Sequence, residues 1–197
     1  MYDPRQFQMT PWFTPQMYFM YSPPFLFNPQ MYNRYMEYYL ENQLGYNISP
    51  NNGNNGNNIK LKDYGADPFV IDIDDAVKQN NTFRTALWTG NNFQLTVMSI
   101  PVGEEIGLEV HETGDQFIRV EEGQGIVAMG DSEDNLDFRR RIYDDYAIVI
   151  PEGKWHNIIN TGNSPLKIYV IYAPAEHPYG TVHQTKADAE CSGRYYR

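Results

Sequence analysis

Cysteine is nearly absent from this chain, with one residue, Cys191, in 197. A single thiol excludes an intrachain disulfide, and its setting between Glu190 and Ser192, with no adjacent base, reads as a bystander rather than a nucleophile. Long apolar runs are missing too. With no 18-residue apolar stretch and no charged segment leading into an apolar run, neither a membrane span nor a secretory leader is expected, and a cytoplasmic location is. Positive charge is scarce: 15 Lys and Arg stand against 25 Asp and Glu, a formal charge of −10. That balance disfavours binding nucleic acid through its phosphates and docking on an anionic bilayer. The one basic run, Arg139-Arg140-Arg141, sits among Asp131, Glu133, Asp134, Asp137, Asp144 and Asp145. It reads as a solvated, internally paired loop.

What is abundant is unevenly spread. Residues 1–58 form an extension rich in Met, Tyr, Phe and Pro that ends in the Asn/Gly tract from Asn47 to Asn58, a flexible linker by composition. Within it, Tyr32, Tyr35, Met36, Tyr39 and Leu40 recur at helical spacing, predicting an amphipathic helix over Met31–Leu44 with Gly45 as its stop. From residue 59 the pattern changes to short strands punctuated by Gly, Pro, Asn and Asp. Strands are expected over 69–73, 93–100, 107–111, 116–122, 125–129, 146–150, 156–160 and 166–172, with a helical turn at 74–78. Such a series points to an antiparallel sandwich or barrel over 59–185, followed by a C-terminal tail, 186–197.

Two segments concentrate the chemistry: Glu109-Val110-His111-x4-Gln116-x6-Gly123 and Pro151-x-Gly153-x2-His156-x3-Asn160. Alternate residues of a strand share a face, so Glu109 and His111 project together, and His156 joins them if its strand lies alongside. One carboxylate and two imidazoles make a ligand set suited to Fe(II), Mn(II), Ni(II) or Zn(II), with the Gln116 amide oxygen as a weaker fourth donor. Such a site leaves positions open for a substrate oxygen, water or dioxygen. Gly123, Pro151 and Gly153 are turn residues, and Asn160 caps a loop. His177 and His183 lie outside both segments and are expected to hydrogen-bond locally, away from the metal.

These segments resemble the two cupin motifs, Gly-x5-His-x-His-x3–4-Glu-x6-Gly and Gly-x5-Pro-x-Gly-x2-His-x3-Asn. Glu109 stands where the first histidine is expected, Gln116 where the glutamate is, and Asp145 where the second motif begins with glycine. Ile106–His111, Trp155–Gly162 and the stretch from His177 to Ala189 are similar to a bacterial cupin subgroup described as mannose-6-phosphate-isomerase-like. The resemblance covers roughly residues 60 to 185. It implies an all-β fold, the cupin double-stranded β-helix or jelly-roll barrel, carrying an irregular and partly helical N-terminal extension, and a homodimer paired through sheet edges. It also implies a divalent metal ion at Glu109, His111, Gln116 and His156 and a small-molecule substrate or ligand. The expected function is a small metalloenzyme, isomerase-like or dioxygenase-like, acting on an oxygen-rich molecule such as a sugar derivative. An assembly protein of spore-coat type, or a small-ligand sensor, is the alternative.

Overall fold

The computed structural model describes residues 59–193 together with Asn33, Met36, Glu37 and Leu40. The chain divides into two units, Met1–Gly56 and Asn57–Arg197. In the first, the four described residues are helical; the remainder of the helix expected over 31–44, and the Asn/Gly tract up to Asn58, lie outside the described residues.

The second unit opens with α1 (Ile73–Gln79), followed by β1 (Arg84–Thr89), β2 (Gln94–Ile100), β3 (Asp115–Glu122), β4 (Gly125–Gly130) and β5 (Phe138–Ile142). Then come β6 (Ala147–Ile150), β7 (Trp155–Asn160), β8 (Leu166–Ala173), β9 (Val182–His183) and α2 (Lys186–Gly193). Asp72 starts α1 as its N-cap, accepting the Asp75 N–H at 3.2 Å, with Asp74 and Asp75 in the first turn where the helix dipole favours negative charge. The strand expected over 69–73 is therefore not formed. Its apolar residues Ile71 and Ile73 instead pack with Ala76, Val77, Leu87 and Val97 in a layer outside the main sheet.

That sheet has six strands in the order β6-β3-β8-β2-β1-β9, and a second has three, β5-β4-β7. Neither closes on itself, so the expected jelly-roll barrel is corrected to two open sheets sharing a core. The cause lies in residues 101–114. A strand was expected over 107–111, but Gly103, Gly107 and Gly114 all take positive φ, which breaks an extended run. The segment touches β7 only through isolated bridges, Glu105 with Ile159 and Glu109 with His156, leaving no continuous ladder between the sheets.

Inward-facing residues of both sheets meet in one hydrophobic cluster that includes Met98, Ile100, Ile118, Val127, Ile158, Leu166 and Ile168. Along the six-stranded sheet this inner face changes character. At one end Ile100 pairs with Leu166 and Val120 with Ile168, while at the other Tyr172 sits between Gln94 and Gln116. Because alternate residues share a face, the two compositions belong to one continuous surface.

Arg139–Arg141 lie on β5, solvent-exposed as expected, but in a strand paired with β4 rather than a loop. Arg139 donates to the Leu136 carbonyl and Arg140 to that of Arg139, and among the described residues no ion pair with the surrounding acids forms. The C-terminal tail contains a helix, α2. Asp145, in the place of the motif's glycine, adopts φ 70° and is held by Arg119 at 2.5 Å; aspartate tolerates this left-handed conformation better than most residues.

Candidate metal centre

Backbone pairing brings the two halves of the site together. The Glu109 N–H donates to the His156 carbonyl at 3.1 Å and the His156 N–H to that of Glu109 at 2.9 Å, so the residues stand directly opposite each other. The turn carrying Gly153, at φ 72°, donates its N–H to the His111 carbonyl at 2.8 Å and anchors the same segment one step further on. Side chains from chain positions far apart in sequence thus project into one space.

Their donor atoms converge. Glu109 Oε1 lies 3.3 Å from His156 Nε2 and 3.6 Å from His111 Nε2, and the ligand atoms of all three are within 4.8 Å of one another. His156 is fully buried, and its Nδ1 faces the Lys154 carbonyl at 2.9 Å. A carbonyl only accepts, so Nδ1 carries the proton and Nε2 presents a lone pair to the cluster. His111 Nδ1 lies 3.4 Å from Glu176 Oε2, the carboxylate–histidine arrangement that orients metal-ligating imidazoles. Gln116, 3% exposed on β3, faces the same interior.

These are the four residues the sequence singles out, and each buries one atom without a hydrogen-bond partner: Glu109 Oε1, His111 Nε2, Gln116 Oε1 and His156 Nε2. An unsatisfied buried polar atom costs about 1–3 kcal/mol. A divalent cation would satisfy all four chemical types, and the donor set fits one.

The electrostatics without an ion are those of a compressed pair. Burial disfavours charge on Glu109, but hydrogen bonding from the His111 ring and the charge of the Arg84 guanidinium outweigh it and hold the carboxyl below the usual range. Burial also opposes a charge on His111, yet Glu109 and Glu176 raise its pKa to about 9. Near neutral pH His111 therefore carries a proton and faces both carboxylates as a cation.

Beyond the predicted residues, the same interior contains Arg84, Tyr172 and His177. The Tyr172 ring stands edge-on to His111 at 5.6 Å and to His177 at 5.0 Å. Burial pushes the Tyr172 phenol up to about 12 and, with the Arg84 charge, His177 down to about 3, so near neutral pH the phenol keeps its proton and His177 is uncharged. The expectation that His177 hydrogen-bonds locally is not met: its main-chain N–H and carbonyl meet the amide of Gln94, on the distant strand β2, and its buried ring leaves Nε2 without a hydrogen-bond partner. Arg84 carries a sequence signal that was missed: a lone charge inside the run Phe83–Trp88, on a strand not foreseen. Asn160 caps its loop as expected, donating to Ile100 and Ser164 and accepting from Gly162.

The chain belongs to the cupin family. The model of that family, described as a cupin domain, matches residues 96–172. An uncharacterized Bacillus subtilis protein, YrkC, is 66% identical over 132 residues, covering 67% of this chain and 71% of its own length. The uncharacterized protein L612 of Acanthamoeba polyphaga mimivirus is 36% identical over 126 residues, covering 64% of this chain and 77% of its own. The crystal structure of BH2720 from Bacillus halodurans aligns with a TM-score of 0.66 at 60% identity, covering 66% of this chain and 99% of that one. No helix among the described residues is long and apolar enough to cross a membrane.

Proposed function

We propose that Glu109, His111 and His156, with the Gln116 amide oxygen as fourth ligand, hold a divalent ion, and that the protein is a small metalloenzyme acting on an oxygen-rich small molecule such as a sugar derivative. The observation that carries this reading is the set of four buried, unpartnered donor atoms. The resemblance to the mannose-6-phosphate-isomerase-like subgroup supports isomerase-like chemistry, and the two-histidine, one-carboxylate set equally suits a dioxygenase. A bound Fe, Mn, Ni or Zn ion would polarise a substrate oxygen and stabilise negative charge on it. The protein's own part is orientation: the Lys154 carbonyl fixes the His156 tautomer, Glu176 aims His111, and the protonated Tyr172 phenol offers a hydrogen bond to a substrate oxygen. Metal analysis of the purified chain, with Glu109→Ala and His156→Ala beside it, tests the assignment; both variants should lose metal and turnover together, and full retention of metal by both would defeat it.

A second reading, an assembly protein of spore-coat type, draws on the Met/Tyr/Pro/Asn-rich composition of residues 1–58. Removing those residues separates the two: an enzyme keeps metal and turnover, whereas an assembly protein loses its multimeric state. A homodimer would cover free sheet edges such as β6, where Val149 is exposed, and sedimentation of the purified chain measures it directly.

A further inference from the structure

Next to the metal ligands lies a patch of buried polar side chains that ligation leaves unexplained. Arg84 is 5% exposed, its Nε has no hydrogen-bond partner, and no carboxylate forms an ion pair with it among the described residues. The Glu109 carboxylate, already facing His111 and His156, is near enough to feel its charge but forms no ion pair with it, and a buried guanidinium whose Nε donor is unfilled is expensive. Arg84 pairs with Met98 on β2, which places Thr96 diagonally beside it on the inner face; Gln94, the next inward residue of β2, pairs with Tyr172. Thr96 Oγ1 and His177 Nε2 are likewise buried without hydrogen bonds, and Tyr172 OH, which makes no well-formed one, lies beside Arg84 and Gln116. The run of rings from Tyr172 to His111 to His156, with centroids 5.6 and 5.4 Å apart, makes this patch continuous with the Glu109 cluster. One fixed positive charge among neutral hydrogen-bonding groups is complementary to a single planar anion.

We propose that Arg84, flanked by Thr96, Tyr172 and His177, binds the carboxylate of a small anionic substrate whose other oxygen-bearing end faces Glu109, His111 and His156. This assignment rests on the interior being the substrate site and narrows the substrate from oxygen-rich molecules in general to carboxylic acids. A guanidinium fork matches a carboxylate through two parallel N–H donors, and the hydroxyls of Thr96 and Tyr172 are placed to complete its hydrogen bonding.

The test is calorimetric titration of the full chain, metal-free and Zn(II)-loaded, with malonate and with its uncharged counterpart malonamide. Malonate should bind and malonamide should not. Arg84→Gln should weaken malonate by about ten- to hundredfold in a protein that still takes up Zn(II) and keeps its circular dichroism spectrum. If Arg84→Gln does not fold, Thr96→Val and Tyr172→Phe take its place, each expected to weaken malonate by about three- to tenfold. Malonate binding equal to that of malonamide, or unaltered by the substitutions in folded protein, overturns the proposal. Charge-selective, Arg84-dependent binding in a chain that takes up no Zn(II) supports it and defeats the metal reading alone. Zn(II) uptake without charge-selective binding does the reverse.

Discussion

The two ends of the space between the sheets are built on the same strands and differ only in what alternates inward. At the Ile100–Leu166 end the inward residues are aliphatic and touch one another. At the Gln94–Tyr172–Gln116 end they are polar, equally buried, and several keep an unpaired atom. Burial alone therefore does not distinguish structural from functional residues here; hydrogen-bond satisfaction does. One end stabilises the sheets against each other, and the other holds polar groups in place for something outside the chain to satisfy.

That contrast can be broken from either side. Ile158→Ala at the apolar end should lower unfolding free energy by about 2–5 kcal/mol in a denaturant titration and leave metal affinity unchanged. At the polar end, Glu176→Ala removes the carboxylate behind His111 and should weaken metal binding by about 10- to 100-fold, measured by chelator competition, with little change in stability. A third outcome concerns pH. His111 is raised from 6.5 to about 9, so in the metal-free chain its pairing stabilises fully below pH 6.5 and is lost as pH rises through about 9. Glu109 is lowered from 4.5, so its share is present above pH 4.5 and is lost as pH falls through its lowered value. Metal affinity should run the opposite way to the His111 contribution, rising between pH 6.5 and 9 as that proton leaves; melting temperatures and chelator titrations at those two pH values check both signs. The smallest effect is expected from Gln116→Met, which replaces an unsatisfied amide and should raise metal-free stability by about 1 kcal/mol while weakening metal binding.

How much of this was legible in sequence depended on which way the polar residues faced. Strands β2, β3, β4 and β8 show apolar residues inward and were expected within a residue or so of their bounds. Strand β1 carries Arg84 and two threonines, Thr85 and Thr89, so it does not read as an apolar alternation, and it was missed. The run Phe69–Ile73 erred in the other direction, because a local apolar stretch fits an outer packing layer beside a helix as well as a strand. Glu109, His111 and His156 were legible because motif spacing fixes which residues oppose one another. Arg84, Tyr172, Glu176 and His177 were not, since their proximity arises from long-range strand order and from a loop pinned at a distance.

That pinning sets a practical boundary. Gln94 grips the main chain of His177 on both sides, Thr89 Oγ1 accepts from Gln94, and Asp63 Oδ2 accepts from both Thr89 and Gly180. The loop bearing Glu176 and His177 is thus moored to a residue near the start of the second unit. A fragment cut to residues 96–172, where the cupin model matches, would contain all four candidate ligands yet lack Asp63, Arg84, Glu176 and His177. The smallest piece of this chain that can be expected to behave like the whole site is set by a hydrogen-bond relay, and it begins more than thirty residues before the recognisable domain does.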